Sequence, residues 1–182
     1  MSRQDFNAIP TSELLQQSLA FARSEPVLES DEYWTRISAL HFRPDRSLFE
    51  EAVGLCSSPD PILRAVGADI LAQLGVREGV AEYPFADESE PTLVSLLGDA
   101  EPHAAMSALY ALGHLGKGEP GQLARLADHP SEDIRCALAY ALGGRTDDGS
   151  VDTEIRLSTD EDVDCRNWAT FAIGALLELD SP

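Results

Sequence analysis

Positive charge is scarce in this sequence, which has 13 lysines and arginines against 32 aspartates and glutamates. The formal net charge is therefore −19, and the average surface field repels phosphate backbones and anionic lipid headgroups. We expect no nucleic-acid partner and no membrane partner. Two interpretations of the excess of carboxylates stay open: it only keeps the protein soluble, or it also favours a basic protein or peptide as the partner.

Long apolar runs are missing as well. No stretch approaches the ~18 uninterrupted apolar residues needed to span a bilayer, and the first residues lack the apolar core of a signal peptide. The three cysteines, Cys56, Cys136 and Cys165, show no CxxC spacing, which favours reduced thiols in a core. These absences predict a single soluble domain in the cytoplasm.

Motifs of the common catalytic centres are also absent. No histidine is followed by glutamate, and no HExxH or HxH motif occurs. There is no GxSxG nucleophile elbow, no GxxxxGK[ST] loop and no strand-borne GxGxxG. Acidic pairs fall in predicted exposed turns, where helix capping is the ordinary role of a carboxylate. We expect no enzymatic activity, no cofactor and no bound metal.

The sequence does contain an internal repeat. Alignment of residues 62–75, 103–116, 134–144 and 165–174 brings Leu71, Leu112, Leu142 and Ile173 into one column. The anchor positions 64, 105, 135 and 166 are separated by 41, 30 and 31 residues. The repeat unit is therefore about thirty residues long, and an insertion at residues 76–90 separates the first two copies.

Each copy predicts a helical hairpin. Apolar residues recur at spacings of three and four, with no period-two alternation, so no strand is expected. The copies end at glycines suited to a left-handed helix cap, Gly75, Gly116 and Gly144. First helices are predicted at residues 47–56, 91–98, 120–128 and 151–159, ahead of the aligned second helices.

Two further helices are predicted upstream, at residues 11–24 and 31–42. We interpret residues 1–43 as N-terminal capping helices and residues 45–178 as four repeats of one domain. A thirty-residue hairpin cannot bury its apolar face alone, and stacked neighbours supply the missing contact. The predicted fold is all-α, a right-handed α-α superhelix of stacked antiparallel hairpins.

The pattern D-P-x-L-R followed by G-A-D-I-L-A-Q-L-G at 60–75, and D-x-R-x-W-A-T-F-x-I-G at 164–174, resemble the HEAT-like repeat family. They are most similar to its short-repeat branch, the phycobilin-lyase-type HEAT repeats. The resemblance covers roughly residues 45–178. It implies a HEAT/armadillo-type solenoid and does not specify an activity, because the family includes scaffolds, adaptors and a few enzymes.

The resemblance also implies a ladder of polar contacts along the solenoid, between an aspartate near each turn and an arginine of each second helix. In this sequence the ladder would join Asp60 with Arg64, Asp133 with Arg135, and Asp164 with Arg166. The second copy has Glu101 and Ala105 in these places. We expect the ladder to be interrupted there.

A column of aromatic residues is the strongest candidate site. The positions five beyond each anchor are Asp69, Tyr110, Tyr140 and Phe171, and the positions nine beyond include Gln73 and His114, one helical turn further along the same stripe. Trp168 lies beside them. The resemblance implies that second helices line a concave groove, where large side chains would anchor a partner. The alternative is that these rings only pack between neighbouring repeats.

We expect a protein interaction module or scaffold that binds a protein or peptide in this groove. One alternative is a lyase-like or accessory protein that holds a small molecule of the tetrapyrrole type there. Another is a structural fragment of a larger repeat protein. The apolar final segment is consistent with a truncated repeat array, a degenerate chain end or a homodimer contact through the C-terminal helix. Tyr83 and Phe85 of the insertion either pack onto the solenoid or present a contact.

Overall fold

The computed structural model describes residue 6 and residues 8–24, 30–77 and 82–179 of the chain. These residues form helices joined by turns, which confirms the all-α prediction. None of these helices combines the length and the apolar character needed to cross a lipid bilayer. The α-helices are α1 (Thr11–Ser24), α2 (Asp31–His41), α3 (Arg46–Leu55), α4 (Pro61–Leu71), α5 (Ala86–Leu96), α6 (Pro102–Leu115), α7 (Pro120–Leu123), α8 (Glu132–Leu142), α9 (Asp148–Leu157) and α10 (Val163–Leu179).

The helices stack serially as hairpins. Second helices α4, α6, α8 and α10 pack side by side in chain order, and first helices α3, α5 and α9 each pack on the second helix that follows. Helices α1 and α2 pack on each other and on α4, where they close the N-terminal end. The architecture is an α-solenoid of antiparallel hairpins.

The core lies along the row of second helices. Eight of the 14 residues of α6 are buried, compared with four of the ten residues of first helix α9. Alanines supply much of this buried surface, as at Ala105, Ala108 and Ala111. Small side chains let neighbouring helices approach closely, and the leucines between them fill the remaining space.

The helix ends agree with the sequence signals in most places. Gly75, Gly116 and Gly144 have φ values of 82°, 63° and 80°, the left-handed conformation expected after each second helix. The predicted first helix 120–128 is instead a four-residue α-helix, α7, followed by a 3₁₀ helix at Ala124–Asp128. Gly121 near its start lowers the α-helical propensity of this short segment.

The insertion is shorter than predicted and packs onto the solenoid. Helix α5 begins at Ala86, so the expected first helix 91–98 starts five residues early and contains Pro91. Asp87 and Glu88 in its first turn favour this start electrostatically. The ring of Phe85 stacks on Phe49 of α3 with centroids 4.9 Å apart. Of the alternatives for this segment, the packed one is observed at Phe85.

Two arginines of the second helices clamp neighbouring hairpins together. Arg64 donates two hydrogen bonds to Asp99 of the next hairpin, at 2.6 and 2.7 Å, and a third to the carbonyl of Ser58 in its own turn. Arg135 repeats the pattern with Asp160, at 2.7 and 2.9 Å, and with the carbonyl of His129. Paired guanidinium and carboxylate groups of this geometry form charge-assisted, bidentate contacts.

The partners of this ladder differ from those predicted. Asp60 accepts a hydrogen bond from Arg23 of α1 and caps α4, so it does not bind Arg64. Asp133 and Asp164 are exposed in the first turns of their helices. The pairing is wrong because the contact joins each arginine to the following hairpin, 35 or 25 residues ahead, whereas the prediction chose the nearest aspartate along the chain.

The series of clamps is not continuous. Ala105 of α6 has no guanidinium, and Arg166 of α10 bonds to the carbonyls of its own turn, those of Asp160 and Glu161. Between the second and third hairpins, Arg145 donates to the carbonyls of Gly118 and Lys117. Arg145 therefore connects the second and third hairpins, between which the arginine–aspartate clamp is missing.

The Asp160→Asn substitution tests the clamp. Both side chains of the pair are less than a tenth exposed. Loss of Asp160 leaves the buried Arg135 with only the solvent-exposed carboxylate of Glu161, at 3.7 Å. We expect the free energy of unfolding to fall by about 3 kcal/mol, the low end for breaking a buried pair. Asp133→Asn is the control, with an expected loss below about 1 kcal/mol. If urea denaturation showed the same loss for both variants, the Arg135–Asp160 clamp would contribute nothing specific to stability.

One buried carboxyl has no partner in the described part of the chain. Glu154 of α9 is 1% exposed, and neither of its side-chain oxygens accepts a hydrogen bond there. Burial raises the pKa of this carboxyl from its ordinary 4.5 to about 8, since the ionised form loses its hydration. Glu154 is therefore mainly protonated at neutral pH.

This burial makes stability depend on pH. Between about pH 4.5 and pH 8 the folded protein retains a proton that the unfolded chain releases, so stability falls as pH rises. Glu154→Gln removes this pH dependence because glutamine does not ionise. We expect the free energy of unfolding of the variant, relative to that of the wild type, to rise by roughly 1.4 kcal/mol per pH unit across this window. At pH 4 the two values should be equal. If the difference in free energy of unfolding between the variant and the wild type were the same at every pH, the burial of an ionisable carboxyl at Glu154 would be contradicted.

Candidate functional site: an aromatic surface on the second helices

Five ring-bearing side chains from three consecutive second helices lie together. We call this set the aromatic surface: Tyr110 and His114 of α6, Tyr140 of α8, and Trp168 and Phe171 of α10. All five were predicted from the repeat alignment. Because the second helices are parallel neighbours in the row, residues at equal positions in successive repeats come side by side.

Tyr140 is at the centre of the aromatic surface. Its ring makes edge-to-face contacts with Tyr110, His114 and Trp168, at centroid distances of 5.1, 5.5 and 5.6 Å. Edge-to-face pairs at this distance are favourable because the positive edge of one ring meets the negative face of the other. The surface is therefore a connected set of rings spanning three hairpins.

His114 connects the aromatic surface to the first repeat. The Nε2 atom of His114 lies 3.3 Å from Nε2 of Gln73, in the turn after α4. The hydroxyl of Tyr140 lies 3.3 Å from Nδ1 and 3.2 Å from Nε2 of the same imidazole. Burial lowers the pKa of the His114 imidazole, so the ring is neutral at physiological pH. A neutral imidazole has one donor and one acceptor nitrogen, which suits a chain of hydrogen bonds between an amide and a phenol.

A glycine permits this arrangement. A Cβ atom added to Gly113 would lie 2.9 Å from the Cα of Ala141 and 3.3 Å from the ring of Tyr140. Helices α6 and α8 therefore approach each other closely at this point, and the approach positions the Tyr140 ring. The sequence reasoning did not identify Gly113, because a glycine inside a helical pattern gives no indication of what lies opposite it.

The C-terminal end of the aromatic surface is open to solvent. The side chains of Trp168 and Phe171 are 44% and 70% exposed, whereas Tyr110 and Tyr140 are half-buried between repeats. Trp168 and Phe171 border a pocket of about 330 Å³ between α8 and α10. The remaining walls are formed by residues of α6, α8 and α10 and by the turn after α8: Gly113, His114, Ala139, Tyr140, Gly143, Gly144, Ala172 and Ala175. Packing between repeats is therefore observed for Tyr110 and Tyr140, whereas partner binding at the exposed Trp168 and Phe171 stays a prediction.

Asp69 does not belong to this surface. It is 4% exposed, and its carboxylate accepts hydrogen bonds from the hydroxyl of Tyr33, at 2.5 Å, and from Ser107. Burial raises the pKa of the Asp69 carboxyl to about 6. The prediction that Asp69 lines a groove is wrong because helix α2 covers this position in the first repeat. The equivalent residues of the later repeats are half-buried at Tyr110 and Tyr140 and exposed at Phe171.

The cysteines follow the prediction in part. Cys56 and Cys165 are buried, but Cys136 is only half-buried, and its sulfur lies 2.8 Å from that of Cys165. The search for metal-ligand spacing missed this pair because the two residues lie 29 positions apart, on α8 and α10. Knowledge of which helices pack together would have been needed to find it.

Comparison with known proteins supports the fold. No protein-family model matches the chain, and no curated protein sequence matches it. The chain is similar to the X-ray structure of YibA from Escherichia coli, with a TM-score of 0.74 and 22% identity. The match covers 98% of this chain and 63% of YibA, so the chain spans less than two thirds of that protein's length. At this identity the likeness shows the fold alone.

Gly113→Ala tests whether close helix approach positions the aromatic surface. The added methyl group would force α6 and α8 apart, and we expect a loss of about 1–3 kcal/mol in the free energy of unfolding. Gly174→Ala on α10 is the matched control, because nothing lies within 4 Å of its added Cβ. Reduced loss of helical freedom should stabilise that variant by about 0.5–1 kcal/mol. If both variants changed the free energy of unfolding in the same direction, the close contact at Gly113 would be contradicted.

Proposed function

We propose that this protein is a non-enzymatic interaction module of the HEAT-like repeat family that binds a basic segment of another protein through the aromatic surface. The observation that carries the proposal is the exposed pair Trp168 and Phe171 beside a pocket on the last second helix. Large exposed apolar side chains that border a pocket are frequent anchors of protein interfaces. We propose that the protein acts in the cytoplasm.

The aromatic rings suit a cationic side chain. The faces of aromatic rings such as Trp168 and Phe171 carry the negative part of the ring quadrupole and attract ammonium and guanidinium groups. Asp164, one helical turn before Trp168, lines a second depression together with these two rings. A lysine or arginine placed there would contact both an aromatic face and a carboxylate.

The charge of the whole chain supports the same partner. A net charge of −19 attracts a basic segment from a distance and accelerates its encounter, whereas it repels nucleic acids. Glu161, at the turn before α10, is 91% exposed and adds to the acidic surroundings of the aromatic surface. We therefore propose a basic peptide segment as the ligand.

Tryptophan fluorescence offers a direct test, since Trp34 and Trp168 are the two tryptophans of the chain. In a Trp34→Phe variant the emission reports on Trp168 alone. We expect titration with nona-arginine peptide to change this emission in a saturable way, and nona-glutamate to leave it unchanged. Added salt should weaken the interaction because charge attraction is screened.

Matched variants separate recognition from general charge attraction. Trp34 and Trp168 are 43% and 44% exposed, but they lie on different helices, α2 and α10. With a fluorescently labelled nona-arginine peptide, we expect Trp168→Ala to weaken binding at least about tenfold, as for an interface anchor. Trp34→Ala should leave the affinity unchanged. Equal affinities of both variants would rule out the aromatic surface as the binding site.

A second copy of the chain is the competing occupant of the same surface. Val163 and Phe171 of α10 and Ile155 of α9 are each more than half exposed. If Phe171→Ala abolishes a concentration-dependent dimer in sedimentation experiments, the surface is a homodimer contact and the peptide proposal fails.

A small molecule is the second candidate ligand. The pocket of about 330 Å³ lies at the lower end of the range for ligand sites, roughly 300–1,000 Å³. The phycobilin-lyase-type resemblance makes a tetrapyrrole the compound to test. An absorbance band that shifts when a linear tetrapyrrole is added, and that Trp168→Ala removes, would favour this function over peptide binding.

A further inference from the structure

Three potential metal ligands converge between α8 and α10, beside the turn that precedes α10. They are the thiols of Cys136 and Cys165 and the carboxylate of Asp162, and one ligand atom from each lies within 4.8 Å of the others. The two sulfur atoms are 2.8 Å apart, and an oxygen of Asp162 is 3.4 Å from the sulfur of Cys136. We call this set the thiol cluster.

The protein backbone orients the carboxylate of the thiol cluster. One oxygen of Asp162 accepts hydrogen bonds from the backbone N–H groups of Asp164 and Cys165, at 2.9 and 3.0 Å. The N–H of Cys165 and the thiol of Cys136 lower the pKa of the Asp162 carboxyl, so it is ionised at neutral pH. Partners of this kind hold a ligand in place before a metal arrives.

The same electrostatics disfavour free thiolates. Burial raises the pKa of both thiols, and for Cys136 the neighbouring sulfur and the Asp162 carboxylate raise it further. A divalent cation at this point would take the place of the two thiol protons and attract all three ligands.

We propose that the thiol cluster is a metal site that takes Zn²⁺ through Cys136, Cys165 and Asp162. Two sulfur ligands and one carboxylate form a set that suits zinc, whereas magnesium and calcium prefer oxygen ligands alone. Three protein ligands leave a fourth tetrahedral position for water or for a group of a partner protein. Binding exchanges two thiol protons for one zinc ion, with no change of oxidation state.

The geometry requires a small adjustment. With Zn–S bonds of about 2.3 Å and a tetrahedral angle, the two sulfurs would lie about 3.8 Å apart, wider than the 2.8 Å observed. Cys136 is half-buried, so its side chain has room to rotate, whereas the buried Cys165 is fixed in the first turn of α10. A disulfide, with sulfurs about 2.05 Å apart, requires the opposite movement.

Zinc at this point would link the last two hairpins. Cys136 belongs to α8, and Asp162 and Cys165 belong to the start of α10. The Arg135–Asp160 clamp joins the same two hairpins through adjacent residues. A metal would therefore fix the position of α10, which carries the exposed part of the aromatic surface.

The experiment uses the full chain, reduced and treated with a chelator that is then removed. We expect one Zn²⁺ per chain in equilibrium dialysis and a zinc-dependent rise in the melting temperature. Co²⁺ as a substitute should produce the near-ultraviolet absorption of a cobalt–thiolate bond. Cys136→Ser should abolish this absorption, and Asp162→Asn should weaken zinc binding by at least about 10–100-fold, the effect of removing even an outer-shell partner.

Cys56→Ser is the matched control, because Cys56 is a buried thiol outside the cluster. It should retain one zinc per chain and the cobalt absorption. Circular dichroism establishes that each variant is folded before it is compared, and Cys136→His tests recovery of binding by a different ligand at the same place. The proposal is overturned if the reduced wild type takes up no zinc, or if Cys136→Ser binds zinc as tightly as the wild type. Disulfide formation in air without zinc uptake after reduction would assign the pair to redox chemistry instead.

Discussion

Contact between consecutive second helices is the constraint on which the rest of the structure depends. Each hairpin of about thirty residues exposes an apolar face that only its neighbours can cover, so the hairpins stack in chain order. The contact is close because alanines and Gly113 leave little between the backbones of α6 and α8. Equal positions of successive repeats are thereby aligned, and both the arginine clamps and the aromatic surface follow from this alignment.

The repeat alignment predicted the features that depend on periodicity. Hairpin order, the left-handed glycine caps and the five rings of the aromatic surface are all consequences of one repeating pattern. The alignment failed at positions whose surroundings differ from one repeat to the next. Asp69 occupies the same column as Tyr140, but in the first repeat α2 covers that position, and a polar network with Tyr33 forms in place of an open surface.

Side-chain contacts between different repeats were also not predicted from the sequence. The true partners of Arg64 and Arg135 are Asp99 and Asp160, far along the chain, and nearby aspartates offered a simpler pairing. The sulfurs of Cys136 and Cys165 meet for the same reason, through the packing of α8 against α10. Such contacts can be predicted once the stacking is known, by comparing each position with its equivalent in the following repeat.

The arginine clamp also bears on how such a chain can change its number of repeats. Hairpin α9–α10 carries both halves of the contact, Asp160 for the preceding hairpin and Arg166 in the place of the donor for a following one. Hairpin α5–α6 carries only the acceptor, Asp99, and hairpin α7–α8 only the donor, Arg135. A tandem gene duplication of α9–α10 would recreate the ion pair at the new junction, whereas duplication of either other hairpin would create a junction without it.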